Sequence, residues 1–379
     1  MTKKYNINKF LLLSLFIYLI ISLLSINSAS MYLSPTLGNL PLKQFYWYIV
    51  GFVLIIIISR INNDILYKYA WYIYLINNVL LLGLLFLAPS INGSKAWYII
   101  SGIGSFQPSE FMKISLILLI ASTIDYNYKK KKNLNIKEEF KLICTVIAIT
   151  LIPTILTFLE PDTGAVIIYF IIGITMLYGS GIRKGWFITF GIIAITFIGI
   201  FLSIYFYKQD LFIEIFGNSF FYRMDRLINW KSGSGMQLTN SLIAIGSSNI
   251  TGHGYNNTPI YFPEAGTDFI FSVFASNFGL IGSLSLITFI LIFDLWLINV
   301  CSKLQNRKDK YLMIGIISML IYQQVQNIGM TIGILPITGI TLPFISYGGS
   351  SIISYLIIIG IVSNIEITNK RKKLLNNNF

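Results

Sequence analysis

The sequence predicts an all-α, polytopic integral membrane protein, and three observations predict it. Of its 379 residues, 55% are hydrophobic and only 11% are charged, more apolar surface than a soluble domain can bury. The apolar residues gather into about ten runs of bilayer-spanning length. The basic residues fall between those runs, on alternate loops. The formal net charge of +13 therefore reads as membrane topology. A nucleic-acid partner is not expected, because the basic residues do not line one soluble face. Cys144 and Cys301 lie far apart, with no disulfide framework and no metal-type spacing.

Lys3, Lys4 and Lys9 precede the first run, Phe10–Ser28. The run resembles a signal peptide, and Ser28-Ala29-Ser30 supplies small residues at its end. With many runs behind it, we read it as a retained helix. Further spans are expected at Phe45–Ser59, Trp71–Ala88, Pro108–Ile124, Phe140–Phe158, Gly164–Tyr178, Gly185–Tyr207, Asp268–Val300, Tyr311–Ile334 and Phe344–Ile365, with ends good to about 4 residues. The second and sixth are short. The eighth is long enough to tilt or to project from the membrane. The whole chain, 1–379, reads as a single transmembrane domain.

Basic residues orient it. One set of loops holds Lys3, Lys4, Lys9, Arg60, Lys68, Lys129 to Lys132, Lys137, Lys141, Arg183, Lys184, Lys303, Arg307, Lys308, Lys310 and Lys370 to Lys373. The alternate set holds only Lys43, Lys95, Lys208, Arg223, Arg226 and Lys231, and Lys113 falls inside a span. Both termini are therefore expected in the cytoplasm of a multi-pass cell-membrane protein.

One long extracytoplasmic loop, about 208–267, joins the seventh and eighth spans. It carries Arg223, Asp225, Arg226 and Lys231, the turn Ser232–Gly235, a helical piece at Leu238–Ile245 and the glycine-rich Gly246–Gly254. Its aromatic and aliphatic content is too high for disorder. We expect it to fold back over the outer mouth.

The polar candidates cluster on that outer side. Pro263-Glu264-Ala265-Gly266-Thr267-Asp268 reads as a turn entering an apolar run. Asp268 then sits at a membrane boundary, either as a helix cap or as a functional carboxylate. Pro108 and Ser109 mark a helix start. Glu110 and Lys113, three apart, share a face and can pair. Glu160-Pro161-Asp162-Thr163-Gly164 is an acidic turn in which Asp162 or Thr163 can cap the next helix. Ser346-Tyr347-Gly348-Gly349-Ser350-Ser351 offers close helix packing or a backbone pocket for an anion.

Together these segments resemble the SEDS family of cell-wall proteins, the RodA and FtsW group. The matching stretches are Phe106–Lys113, Glu160–Gly164, Gln237–Gly246 with Gly252-His253-Gly254, Pro263–Phe271 and Asn327–Ser351. The wording of Ile328-Gly329-Met330 and Leu335–Gly339 resembles the RodA branch more than the FtsW branch. The resemblance implies a peptidoglycan glycosyltransferase that polymerises lipid II at the outer membrane face, with a class B penicillin-binding protein as partner. It implies Asp268 as the catalytic aspartate and Glu110, Lys113 and Asp162 as cavity-lining residues. Where the family often has histidine this chain has Gly266, and where it often has a Glu-Glu pair this chain has Ser276-Asn277. Where the FtsW branch carries a further acidic residue, this chain has Ile260.

The implied reaction needs a base for the acceptor hydroxyl, and Asp268 is the candidate. The departing pyrophosphate needs positive charge or a divalent cation. Lys113, Arg223 and Arg226 are the outer-side cations, although both arginines could instead meet lipid headgroups of the membrane. Gln237 and Ser350 complete the expected substrate-binding set. Asp268, Glu110 and Asp162 could together hold Mg2+ or Mn2+, although no segment has dedicated metal-site spacing. His253, between two glycines, reads as a turn residue. The competing functions are a lipid II flippase or transporter and a non-catalytic scaffold. Against transport, no span shows an ionisable residue near its centre.

Overall fold

The computed structural model describes residues 7–31, 38–91, 93–100, 104–130, 134–228, 235–261 and 263–376; side chains at 130, 219, 223, 226, 227, 235, 375 and 376 lie outside that description. Among the described residues there are thirteen helices and one small hairpin. In chain order they are α1 (Lys9–Ser30), α2 (Leu40–Ile58), α3 (Asn63–Leu87), β1 (Tyr98–Ile100), β2 (Gly104–Phe106), α4 (Pro108–Lys130), α5 (Ile136–Leu159), α6 (Thr163–Gly179), α7 (Lys184–Tyr207), α8 (Gln209–Phe216), α9 (Asn218–Ile228), α10 (Gly235–Ser247), α11 (Ile270–Ser302), α12 (Arg307–Thr331) and α13 (Gly349–Asn376).

The helix starts follow from the sequence. Asn8, Asn39, Asn62, Asn135 and Asn306 each accept a backbone N–H from the first turn of α1, α2, α3, α5 and α12. Each such cap is worth about 1 kcal/mol. Asn135 and Glu138 complete a reciprocal capping box. Seven helices, α1, α2, α3, α5, α7, α11 and α13, are long and apolar enough to cross a membrane, and α6 is a shorter apolar helix. The other two expected spans correspond to α4 and α12. Glu110 and Lys113 lie in α4, and Gln323, Gln324, Gln326 and Asn327 lie in α12.

The lipid-side helices and the core helices differ in burial. The stretch from Met112 to Ala121 of α4 is buried throughout, because α3, α5, α6, α12 and α13 all pack around it. In α7, by contrast, Tyr205 is the one buried residue. Trp186 Nε1 donates to Glu139 Oε2 at 2.9 Å and anchors the start of α7 to α5. At the other end of α7, Phe201 and Tyr205 meet Phe212, Phe216, Phe220 and Phe221 of α8 and α9.

Alternate helix ends meet across the bundle. At the lysine-rich end, Asn8 donates to Glu366 at 2.8 Å, Tyr67 to Asp309 at 2.7 Å, and Asn364 to the Ile58 and Ile61 carbonyls. The opposite end gathers the starts of α4, α6, α11 and α13 and the end of α12.

Several boundaries differ from expectation. The third helix begins at Asn63, eight residues early, because Asn62 caps it ahead of the apolar run. The tenth begins at Gly349, because Phe344 takes a left-handed backbone (φ +66°) that a helix cannot contain. The eighth span is not one long tilted helix. Gly279 has φ 64° and ψ −159° and breaks α11 after Phe278. The 248–254 segment enters the break. His253 N–H donates to the Ser276 carbonyl and Gly254 N–H to the Asn277 carbonyl at 2.9 and 3.1 Å. A Cβ at Gly252 would collide with the Asn277 carbonyl, and one at Gly279 with the Gly252 nitrogen, so only glycine permits this approach. The hairpin is a small addition to the all-α expectation, pairing Tyr98 with Phe106 and Ile100 with Gly104.

Candidate active site

The chain enters α11 through the turn at Pro263–Asp268. Phe269, and neither Thr267 nor Asp268, is the N-cap of α11, and no side chain caps it. The capping reading of Asp268 is therefore not realised. The backbone of the turn is clamped on all sides. Tyr347 N–H donates to the Gly266 carbonyl at 2.8 Å, Ser346 Oγ to the Thr267 carbonyl at 2.6 Å, and Asn327 Nδ2 to the Asp268 carbonyl at 2.7 Å. The Asp268 carboxylate itself makes no hydrogen bond among the described residues. It faces Gly339, where an added Cβ would stand 3.7 Å from Oδ2. Burial, with the negative potentials of Glu264 and Asp162 added, pushes its pKa up to about 7.

The stretch after α12 carries the site from Asp268 to α4 and α6. Asn327 Nδ2 also donates to the Ile340 carbonyl at 2.7 Å. Gly164 at the start of α6 lies against the Thr338 carbonyl and Ile340. Thr341 Oγ1 lies 3.3 Å from Tyr355 Oη, and the Tyr355 ring faces Lys113 Nζ at 5.3 Å. Lys113 donates to Glu110 Oε2 at 2.8 Å, and Ser354 Oγ donates to the same oxygen at 3.1 Å.

The other expected site residues have more constrained settings. Glu110 and Lys113 pair as expected, but Lys113 is 1% exposed, so it is enclosed and already neutralised. Asp162 caps α6 through Oδ1, which accepts from Ala165 N–H at 3.0 Å. Its Oδ2 accepts from Gln107 Nε2 at 3.2 Å and Ser109 Oγ at 3.1 Å. Burial raises its pKa despite these bonds. Ser350 does not open an anion pocket. Its hydroxyl accepts from Gln107 N–H at 3.0 Å and donates to the Ser105 carbonyl at 3.1 Å. Gly349 packs on Trp47, so the glycine-serine run serves close packing. Gln237 lies in the first turn of α10, partly buried. Arg223 and Arg226 lie on α9, and their side chains fall outside the described residues.

The expected divalent-cation set does not fit. Among the described residues no group of three Asp, Glu, His or Cys side chains could hold a metal. Glu110 is paired with Lys113, and both oxygens of Asp162 are occupied.

The structure adds residues that sequence reasoning passed over. Glu160 is fully buried, both of its carboxyl oxygens lack partners among the described residues, and its pKa is pushed up to about 8 by burial and by Asp162. Gln323 donates to Tyr355 Oη and Gln326 to the Pro336 carbonyl at 2.9 and 2.8 Å. Several buried amides within one apolar helix were a readable signal. Asp294, well inside α11, is buried and accepts from Gln324 at 3.2 Å. It corrects the expectation that the spans carry no interior ionisable group. From α10, Ser241 Oγ donates to the Thr331 carbonyl at 2.8 Å and meets Ser272 Oγ at 2.6 Å. The α10 part of the long loop thus lies against the same end of the bundle as Asp268.

Comparison with known proteins identifies the family. Residues 8–371 match the FtsW/RodA/SpoVE family, described as cell cycle proteins. The chain is 35% identical over 369 residues to the probable peptidoglycan glycosyltransferase FtsW of Haemophilus influenzae, covering 93% of this chain and 89% of that one. It is 32% identical over 282 residues to stage V sporulation protein E of Bacillus subtilis, covering 73% and 72%. The fold is similar to a chain from a peptidoglycan synthase complex that coordinates polymerization and crosslinking (TM-score 0.79, 22% identity, 96% of this chain and 98% of that one). It is also similar to the rod shape determining protein RodA of Thermus thermophilus (TM-score 0.68, 22% identity, 97% and 98%). The RodA branch expected from the motif wording is not shown, since the sequence relatives named here carry FtsW and sporulation names and RodA shares the fold alone. A match across nearly the whole chain places it in the FtsW/RodA/SpoVE family, the SEDS proteins.

Proposed function

We propose that the protein is a peptidoglycan glycosyltransferase that polymerises lipid II into glycan strands at the outer face of the cytoplasmic membrane. The observation that carries this reading is Asp268. Its carboxylate is free of hydrogen bonds among the described residues, held on a clamped turn, and has a pKa of about 7. Such a group is matched to take a proton near neutral pH. In the reaction, Asp268 takes the proton of the acceptor sugar hydroxyl as that oxygen bonds to the donor's anomeric carbon. The bond from that carbon to the lipid-linked pyrophosphate breaks, and the electron pair leaves with the pyrophosphate.

The names of the relatives support the activity. The fold shared with a synthase-complex chain supports a crosslinking class B penicillin-binding transpeptidase as partner. The lysine-rich end supports an orientation with both termini in the cytoplasm and about ten spans. An elongation or shape role rests on the motif wording alone, and the FtsW names point toward division. Asp294 offers no transport pathway, since it pairs with Gln324 in packed surroundings.

The test is Asp268→Asn, assayed as glycan length from labelled lipid II with purified protein and its partner. Asparagine is nearly isosteric, and no cap is lost, so the fold should persist. Loss of the base should lower polymerisation by about 10²–10⁴-fold. Wild-type polymer yield would overturn the assignment and leave flippase and scaffold functions standing.

A further inference from the structure

At the lysine-rich end, far along the bundle from Asp268, a cavity of about 400 Å³ opens between α3, α4 and α12. Lys68 and Trp71 of α3, Ser122, Asp125 and Lys129 of α4, and Lys308 of α12 form its polar wall. We propose that this cavity binds the headgroup of an anionic glycerophospholipid, with the phosphate held between Lys68 and Lys308. It stands apart from the polymerase chemistry. The orientation proposed above makes the leaflet the inner one.

Charge is the first argument. Lys129 pairs with the buried Asp125 at 3.0 Å, so those two charges cancel. Among the residues lining the cavity, Lys68 and Lys308 then leave two net positive charges, with Asp64 and Asp309 outside the lining but within electrostatic reach of Lys308. Neither is spent on a carboxylate among the described residues. Lys308 Nζ stands 3.9 Å over the Tyr67 ring, and Lys68 Nζ 5.5 Å from the Tyr69 ring centre. A ring face attracts an ammonium but leaves its N–H donors largely free for an anion. The Tyr67 ring is itself fixed, because its hydroxyl donates to Asp309 at 2.7 Å. The Ser122 hydroxyl is buried on the wall with no partner among the described residues.

Depth and apolar continuity then select a lipid over a soluble anion. On α4 the wall runs from Lys129 down to Leu119, about 15 Å of helix at 1.5 Å per residue. That spans the layer where headgroups give way to acyl chains. Leu119 and Ala70 make the deep wall apolar. Trp71 also begins an exposed stripe on α3, continued by Leu75, Val79, Leu82 and Phe86. Their spacing keeps them on one helix face. An acyl chain can lie along that stripe while its phosphate occupies the cavity. Basic pockets between membrane helices near the cytoplasmic surface suit such headgroups.

The test titrates phosphatidylglycerol or zwitterionic phosphatidylcholine into the detergent-purified full chain and follows thermal unfolding. Native mass spectrometry counts the lipid retained. Phosphatidylglycerol is expected to raise the unfolding midpoint saturably, and phosphatidylcholine to leave it nearly unmoved. Lys68→Gln with Lys308→Gln should weaken phosphatidylglycerol binding by about twenty-five-fold, since each lysine contributes about fivefold. The corresponding double arginine variant should retain binding. If the double glutamine variant does not fold, Lys68→Gln alone, at an exposed position, should show the fivefold loss. Equal response to both lipids, or undiminished phosphatidylglycerol binding by the glutamine variants, would overturn the proposal. Complete displacement of the lipid by millimolar inorganic phosphate would also overturn it, in favour of a free-anion site.

Discussion

The side-chain nitrogen of buried Asn327 stands 2.7 Å from the carbonyl oxygen of Asp268. Its second proton goes to the Ile340 carbonyl, also at 2.7 Å. One amide in α12 thus holds the Asp268 turn and the post-α12 segment in register. Asn327→Ala strands both carbonyls, each at a cost of about 1–3 kcal/mol. We expect a lower unfolding temperature and a fall in kcat larger than any change in KM, because the base is displaced while the lipid-binding surfaces remain. Unchanged kcat in a folded variant would remove Asn327 from the positioning of Asp268.

Asp268 must be ionised to accept a proton, so polymerisation should fall as pH drops through about 7. Glu264 is exposed and accepts from Thr267 Oγ1 at 2.7 Å. Glu264→Gln keeps an acceptor there but removes negative potential from Asp268. The acid limb of the pH–rate profile should move to lower pH. It should stay above the ordinary carboxylate range of about 4, because burial is the larger cause. A limb already at about 4 in the wild type would contradict the proposed base.

Glu110 and Lys113 form a buried pair at 2.8 Å. Removing either partner alone leaves a charge uncompensated, at a cost of about 3–5 kcal/mol. Glu110→Gln with Lys113→Met should recover most of that loss in thermal unfolding. Activity then separates the roles. Polymerisation that returns with stability makes the pair a structural strut, and stability without activity returns Lys113 to the substrate.

Glu160 is buried without partners among the described residues, with a pKa of about 8. Its unfolded pKa is lower, so between the two values the folded state holds a proton that the unfolded state has released. Stability from this group is therefore full below the unfolded pKa and is lost as pH rises towards about 8. Glu160→Gln, neutral at every pH, should abolish that part of the decline. The check is the unfolding temperature of both proteins across pH 5 to 9. Parallel curves would mean that Glu160 is ionised in the folded state.

Much of the architecture was determined by the sequence alone. Apolar runs of bilayer length mark the main helices, and asparagines ahead of them set the starts, since both signals act within a few residues. The basic alternation marks the two ends for the same local reason. The i,i+3 spacing of Glu110 and Lys113 sufficed to pair them, because a helix face is a local property. Asp268 was legible as a carboxylate at an apolar boundary, but its freedom was not. Whether it capped α11 depended on where the helix began, which the clamps from Asn327, Ser346 and Tyr347 decide. These donors lie 59 to 81 residues from the carbonyls they reach. Tertiary structure also decided that Asp162 and Ser350 are tied into packing, and that Gly279 breaks the eighth helix to receive Gly252. It decided the lysine-lined cavity too, whose walls come from three helices. A linear pattern carries the periodicity of one helix, whereas desolvation and the distance between partners from different helices exist only once the chain has packed.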